Sequence, residues 1–355
     1  MARKHESRKP AAGQQRPGRK SAPRPAPRAP VAKGVAKGKG KAPAGKAVAG
    51  KPAAVAKPAT PVVPKLKFHG RMLENEPLSR YTTWRIGGPA RYLLQPGDVE
   101  DVIKGLDMAR ERGLPWLVIG LGSNLLVRDG GFPGLVIRMG KGLDKFEMKG
   151  AIAIVGAGMP TPILARRTAE AGFSGVERFI GIPGTVGGGI YMNAGCHGAE
   201  FAEIVTEVTV MDSKGKTRTI PRKQISYKYR GSNLGDVIVL EAKLGLGEEA
   251  PAKLKELQAK LFRWRKAGTP FDQPCAGSTF KNPGGKQSAG MLIDEVGLKG
   301  FRIGGAQVST MHANYIVNTG TATAADVLKL IDHVQKTVAK KAGVELGLEI
   351  KVVGV

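Results

Sequence analysis

The sequence predicts an α/β fold preceded by a disordered tail, and three observations carry the prediction. Two glycine-rich loops sit beside apolar runs: Gly120-Leu-Gly-Ser-Asn-Leu-Leu-Val127, directly after the β-like Trp116-Leu-Val-Ile119, and Gly181-Ile-Pro-Gly-Thr-Val-Gly-Gly-Gly-Ile-Tyr-Met-Asn-Ala-Gly195. From about residue 89 onward, segments of helical spacing alternate with short strand-like runs, the order expected of small α/β layers. Before residue 68 the composition changes altogether.

That first stretch holds eighteen lysines and arginines against one acid, Glu6, and carries +17 of the formal net charge of +27. Up to Val62 it has almost no large apolar residue, so it buries too little surface to offset its chain entropy. Residues 1–67 are therefore expected to be a disordered Lys/Ala/Pro-rich tail. It is similar to the tails of linker-histone-like proteins. Counterion release would let such charge bind nucleic acid or anionic surfaces without sequence preference, and a solvated appendage with no partner is the alternative. Lysines, prolines and glycines interrupt every apolar stretch that a secretory signal would need, and no later run has the length of a membrane span. Cys196 and Cys275 are far apart with no CxxC or Cys/His spacing, and His69, His197, His312 and His333 are scattered. No metal-ligand set is visible, and a reducing compartment is expected.

The folded part opens near Phe68. Tyr92-Leu-Leu94 is a short strand after the turn at Gly87-Gly-Pro89. Asp98 caps a helix with Val99, Val102, Ile103, Leu106 and Ala109 at helical spacing and Gly113 as its stop. Trp116–Ile119, Leu135–Arg138 and Ile152–Val155 read as strands, and Thr161 to Gly172 as a helix with Thr161 as cap and Pro162 at its first position. After the second glycine loop, Val205–Met211 and Gly215–Ile220 form a hairpin across Asp212-Ser-Lys-Gly, and Val237–Leu246 is a further strand. A helix over about 252–266 carries Leu254, Leu257, Leu261 and Trp264 on one stripe. Ser288–Val296 is helical, Thr323-Ala-Ala-Asp326 is a variant capping box for a helix to Gly343, and 346–352 alternates as a strand with Glu349 facing away from the core.

Glycines at 120, 122, 181, 184, 187 and 188 let the backbone approach a ligand closely, and rows of N–H groups in such loops make anion-binding concavities suited to a nucleotide pyrophosphate. A tight turn between buried elements would use the same residues. Val186, Ile190, Tyr191 and Met192 exclude a flexible linker.

Taken in order, Gly120-Leu-Gly-Ser-Asn-Leu-Leu, Gly181-Ile-Pro-Gly-Thr-Val-Gly-Gly, Asn193-Ala-Gly, Tyr229-Arg230, Ala276-Gly-Ser-Thr-Phe-Lys-Asn-Pro283 and Gly304-Gly-Ala resemble the UDP-N-acetylenolpyruvoylglucosamine reductase family over about residues 73–354. The resemblance implies a vanillyl-alcohol-oxidase-type FAD-binding module over 68–247, with subdomains of about 68–127 and 128–247, and a C-terminal substrate domain over 248–355. Tyr81-Thr-Thr-Trp-Arg-Ile-Gly-Gly is similar to the shorter, type II branch, and the tail has no counterpart. FAD would lie between the glycine loops, held by Gly120, Gly122, Ser123, Asn124, Gly181, Gly184, Thr185, Gly187 and Gly188. The implied reaction uses NADPH to reduce UDP-N-acetylglucosamine enolpyruvate to UDP-N-acetylmuramate. Hydride passes through FAD to C3, and a serine protonates C2.

Ser278 matches that general acid, Arg230 the arginine facing the developing enolate, and Glu349 the glutamate completing the trio. The family's usual Glu-x-Glu has Gly347 at its first position here. Tyr229, Lys281, Asn282 and His312 match substrate-binding positions, with Lys281, Asn282 and His312 toward the uridine diphosphate end. The resemblance further implies a cytoplasmic monomer serving peptidoglycan synthesis, and through it cell wall biogenesis, cell shape, the cell cycle and division. Two competing readings remain: a different oxidase on the same flavin fold, and a nucleic-acid-binding protein with a degenerate enzyme attached.

Overall fold

The computed structural model describes residues 66–355, so the basic tail, up to residue 65, lies outside the described residues. The first sheet contains β1 (Arg71–Pro77), β2 (Pro89–Gln95), β3 (Trp116–Ile119) and, beyond the short β4 (Leu125–Val127), β5 (Phe132–Arg138). Its order is β1-β2-β5-β3, with β1 antiparallel to β2 and the other pairings parallel. Parallel strands need a crossover, and α1 (Val99–Glu111) carries the chain from β2 to β3 on the far side of β5. The Asp98 side chain accepts from Asp101 N, and Gly113, at φ 60°, follows the last turn. Val102, Leu106 and Ala109 share an apolar cluster with Leu94, Leu135 and Ile137. The sheet thus continues past residue 127, where the sequence reading divided the subdomains.

The second sheet is antiparallel. It holds β6 (Phe146–Lys149), β7 (Ile152–Gly156), β8 (Val205–Met211) and β9 (Thr217–Pro221), then β12 (Ile238–Gly245) after the small hairpin β10 (Tyr227–Lys228) and β11 (Gly231–Ser232). The order is β9-β8-β12-β7-β6. Helices α2 (Thr161–Glu170) and α3 (Val186–Met192) contribute Leu164, Ala165, Val186 and Ile190 to the same cluster as Val155, Val208 and Leu244.

The C-terminal part comprises α4 (Pro251–Gly268), α5 (Ala289–Glu295), a small sheet of β13 (Arg302–Ile303), β14 (Ala306–Val308) and β15 (Ile316–Asn318), then α6 (Ala324–Ala342) and β16 (Lys351–Val353). The Thr323/Asp326 capping box is reciprocal, and Gly343 closes α6 at φ 69°. Val327, Leu330, Ile331, Val334 and Val338 line one face of α6 and form a core with Leu292 and Ile293. Trp84 enters this core from the N-terminal part: its indole donates to Ile316 O at 2.8 Å, and Asn318 Nδ2 donates to Trp84 O at 3.0 Å. β16 pairs in parallel with β4, so the last strand is built in directly after the first glycine loop.

Several elements differ from the sequence reading. Val186–Met192 of the glycine stretch is a helix, because Thr185 caps it by accepting from Gly188 N and Val186 and Ile190 bury. α2 starts at its expected cap, one residue earlier than read: Thr161 is helical, and its N–H is taken by Gly184 O. Trp264 is 71% exposed, while Gln258 joins Leu254 on the buried side of α4. Of 346–352 only the end is a strand, and Leu348 makes an isolated antiparallel bridge to Phe280.

Candidate active site

The first glycine loop leaves β3 at Gly120. Gly122 has φ 63°, and a Cβ there would lie 2.1 Å from Tyr81 O, so only glycine fits. A Cβ on Gly120 would stand 2.4 Å from Thr185 Oγ1, which puts the two glycine loops in contact. Ser123 Oγ donates to Pro183 O at 3.1 Å across the same junction. Among the described residues, none accepts a hydrogen bond from the N–H groups of Gly120, Leu121, Gly122, Ser123 or Asn124, nor from those of Gly184 or Thr185. Such a row of unpaired donors suits the pyrophosphate of FAD. Gly187 N donates to Ala157 O and Gly188 N faces the Thr185 hydroxyl, so these two glycines serve α3 and its packing; a Cβ on Gly187 would meet that of Ala157 at 2.8 Å.

Arg230 occupies the turn between β10 and β11 with φ 55°, a left-handed conformation uncommon outside glycine. Its Nε donates to Glu349 Oε1 at 2.7 Å, and its guanidinium lies 4.9 Å from the Tyr229 ring centroid and 3.5 Å from Gly195 O. The two side chains of the ion pair are 20% and 16% exposed. Burial alone would lower the arginine's pKa, but the adjoining Glu349 carboxylate outweighs it and holds the guanidinium more firmly charged.

Glu349 is fixed through its backbone as well. Asn124 Nδ2, in the first glycine loop, donates to Glu349 O at 3.3 Å, and Glu349 N donates to Thr279 O at 2.9 Å. The segment holding Ser278 is clamped from its other side by Asn314, whose buried amide accepts from Phe280 N and donates to Phe280 O, while Asn314 O accepts from Thr279 N. Among the described residues the Ser278 hydroxyl has no hydrogen-bond partner, which leaves it available to a ligand. The structure therefore gathers the Glu349 carboxylate, the Arg230 guanidinium, the backbone flanking Ser278 and the first glycine loop into one connected region.

The remaining positions behave differently. Tyr229 is 45% exposed beside Arg230. Lys281 N donates to Gly347 O, and Asn282 Oδ1 accepts from Ala289 N, which ties it to the start of α5. His312 Nδ1 accepts from Asn314 N at 3.2 Å, and its ring packs edge-on against Tyr315. Burial, with Lys299 and Arg265 nearby, lowers its pKa, so the ring favours the neutral form. Sequence reasoning missed Asn314 as a clamp. Its one signal was its place eight residues after Gly305-Ala306, with nothing local to mark its partners.

Residues 89–221 match the family model of an FAD binding domain, and residues 269–353 that of UDP-N-acetylenolpyruvoylglucosamine reductase, C-terminal domain. With its glycine loops and polar trio, the chain is an FAD-dependent oxidoreductase. The UDP-N-acetylenolpyruvoylglucosamine reductase of Bacillus subtilis is 42% identical over 288 residues, spanning 80% of this chain and 95% of that protein; that of Caulobacter vibrioides is 44% identical over 292 residues, with the same coverage. A solved structure of the reductase from Thermus caldophilus superposes with a TM-score of 0.69 at 38% identity, covering 81% of this chain and all of that one. The chain belongs to the UDP-N-acetylenolpyruvoylglucosamine reductase family, whose activity serves peptidoglycan precursor synthesis.

Proposed function

We propose that the chain reduces UDP-N-acetylglucosamine enolpyruvate to UDP-N-acetylmuramate with NADPH, the family's co-substrate, as electron donor. The observation that carries the reading is the partly buried Arg230–Glu349 pair at 2.7 Å, anchored by Asn124 to one glycine loop and by Thr279 to the Ser278 segment. FAD, held by the N–H row of the 120–124 loop and by Gly184 and Thr185, would supply the hydride chemistry that links NADPH to C3 of the enolpyruvyl group. The chain's residues act on the charge and the proton. As C3 gains hydride, negative charge develops on C2 and the adjoining carboxylate. Arg230 offers planar, permanently charged donors to that carboxylate, and Glu349 holds the arginine's orientation through Nε. Ser278 then gives its proton to C2.

Tyr229 is assigned to substrate binding, and Lys281, Asn282 and His312 to substrate binding at the uridine diphosphate end. Two sheet-bearing halves of one FAD module within 68–247, followed by a substrate domain over 248–355, complete the proposal. It extends to a cytoplasmic monomer whose product supports cell shape and division, and to a tail whose charge attracts polyanions. Among the described residues no helix is long and apolar enough to cross a membrane. NADPH oxidation measured with and without the enolpyruvyl substrate tests the reading: substrate-dependent turnover supports it, and oxidation indifferent to substrate contradicts it.

A further inference from the structure

β5 ends in Arg138, which among the described residues pairs with no anion. Arg138 pairs with Ile119 in the parallel ladder, and Met139 N donates to Ile119 O at 2.8 Å. Arg138 therefore stands at the carboxyl edge of the sheet, beside the strand that runs on into Gly120, and open α/β sheets receive ligands at such edges. Side chains alternate along β5. Leu135 and Ile137 join the cluster under α1, whereas Val136 joins the cluster of Ile119, Tyr81 and Leu125. Arg138 falls on the second face, its guanidinium carbon 5.0 Å from the Tyr81 ring centroid.

The carbonyl of that same Tyr81 abuts Gly122, so Arg138 and the glycine loop bracket one residue. The nearby Glu76 is committed to the Tyr81 hydroxyl and to Arg80. Arg138 Nε is buried without a hydrogen-bond partner, and among the described residues no carboxylate pairs with this guanidinium. A partly desolvated arginine lacking a counter-charge is unfavourable unless a ligand provides one.

The geometry points to Arg138 as a phosphate-binding residue: together with the N–H row of the 120–124 loop it takes the pyrophosphate of FAD. The assignment rests on the FAD reading and adds to it. The backbone amides supply only partial charges, and Arg138 supplies the full positive charge and a fork of donors matched to phosphate oxygens.

The full chain, stripped of flavin and titrated with FAD at low and high ionic strength, tests this. Charge-assisted hydrogen bonds of this kind predict that Arg138→Gln weakens FAD binding about 10- to 100-fold at low ionic strength, with a smaller loss at high salt. Arg138→Lys should recover part of the affinity, and the flavin-free Tm should stay that of the wild type. Unchanged FAD affinity overturns the assignment. So does a loss that is equal at both ionic strengths and unrelieved by lysine, which would mark the stack on Tyr81 as merely structural. A wild-type chain that takes up no FAD overturns the flavin reading and this assignment together.

Discussion

Arg230 and Glu349 stand 119 residues apart in sequence, yet Arg230 Nε meets Glu349 Oε1 at 2.7 Å. The arginine comes from a two-residue hairpin turn and the glutamate from the run into the last strand, so the pair exists only when the β10–β11 hairpin and the C-terminal part are both in place. Its first consequence is for Glu349→Gln, which keeps the acceptor oxygen and removes the charge. Turnover should fall about 10²-fold, the scale of losing one preorganised electrostatic group, with a smaller change in KM. Steady-state kinetics decide it. A raised KM at unchanged kcat would make Glu349 a binding residue only.

Arg230→Lys keeps a positive charge but loses the planar fork and the Nε donor that Glu349 holds. kcat should fall far more than substrate affinity weakens. Unaltered kcat would remove Arg230 from the transition state.

Gly122→Ala puts a Cβ at φ 63° and 2.1 Å from Tyr81 O, so the first glycine loop must move. The left-handed conformation alone costs about 1–2 kcal/mol for an alanine. The purified variant should carry much less FAD, read from its absorbance ratio. Gly150→Ala, also at positive φ (56°) but with open space around it, is the control and should retain its FAD. Equal FAD content in the two variants would show that the loop's shape is not what holds the cofactor.

His312 bears on stability in mild acid. Its pKa is lowered by burial, helped by Lys299 and Arg265, so the unfolded chain takes up this proton first as pH falls below the ordinary value of 6.5. Stability from this group is present above that value and declines on acidification. His197 has the same direction, from burial with Arg265 and Arg178. His312→Asn places an amide oxygen where Nδ1 accepts from Asn314 N, and cannot protonate. Urea midpoints compared between pH 7.5 and 5.5 should fall less for the variant, and equal falls would contradict the assignment.

Elements set by local pattern were legible in the sequence. Asp98 and Thr323 cap their helices as expected, and β3 and β8 have the expected ends. What the sequence concealed depends on distant partners. β1 has no clean alternation, and its pairing with β2 is what makes it a strand. The helix within 186–192 is hidden by its glycines, which allow close packing against Ala157 and Phe201 at the expense of helix propensity. For the site, the residue types at 230, 278 and 349 were readable from motifs. The bonds from Asn124 to Glu349 and from Asn314 to Phe280 were not, because nothing local to either asparagine names its partner.

The central claim is that Ser278 protonates C2, and one measurement addresses it directly. Stopped-flow absorbance of the flavin in Ser278→Ala follows the NADPH half-reaction and the enolpyruvyl half-reaction separately. The first needs no proton on the sugar substrate and should run at the wild-type rate. The second should slow by about 10²- to 10⁴-fold, the usual contribution of a positioned general acid, and Ser278→Cys should recover part of the loss. Equal slowing of both halves, or a second half at the wild-type rate, would contradict the account.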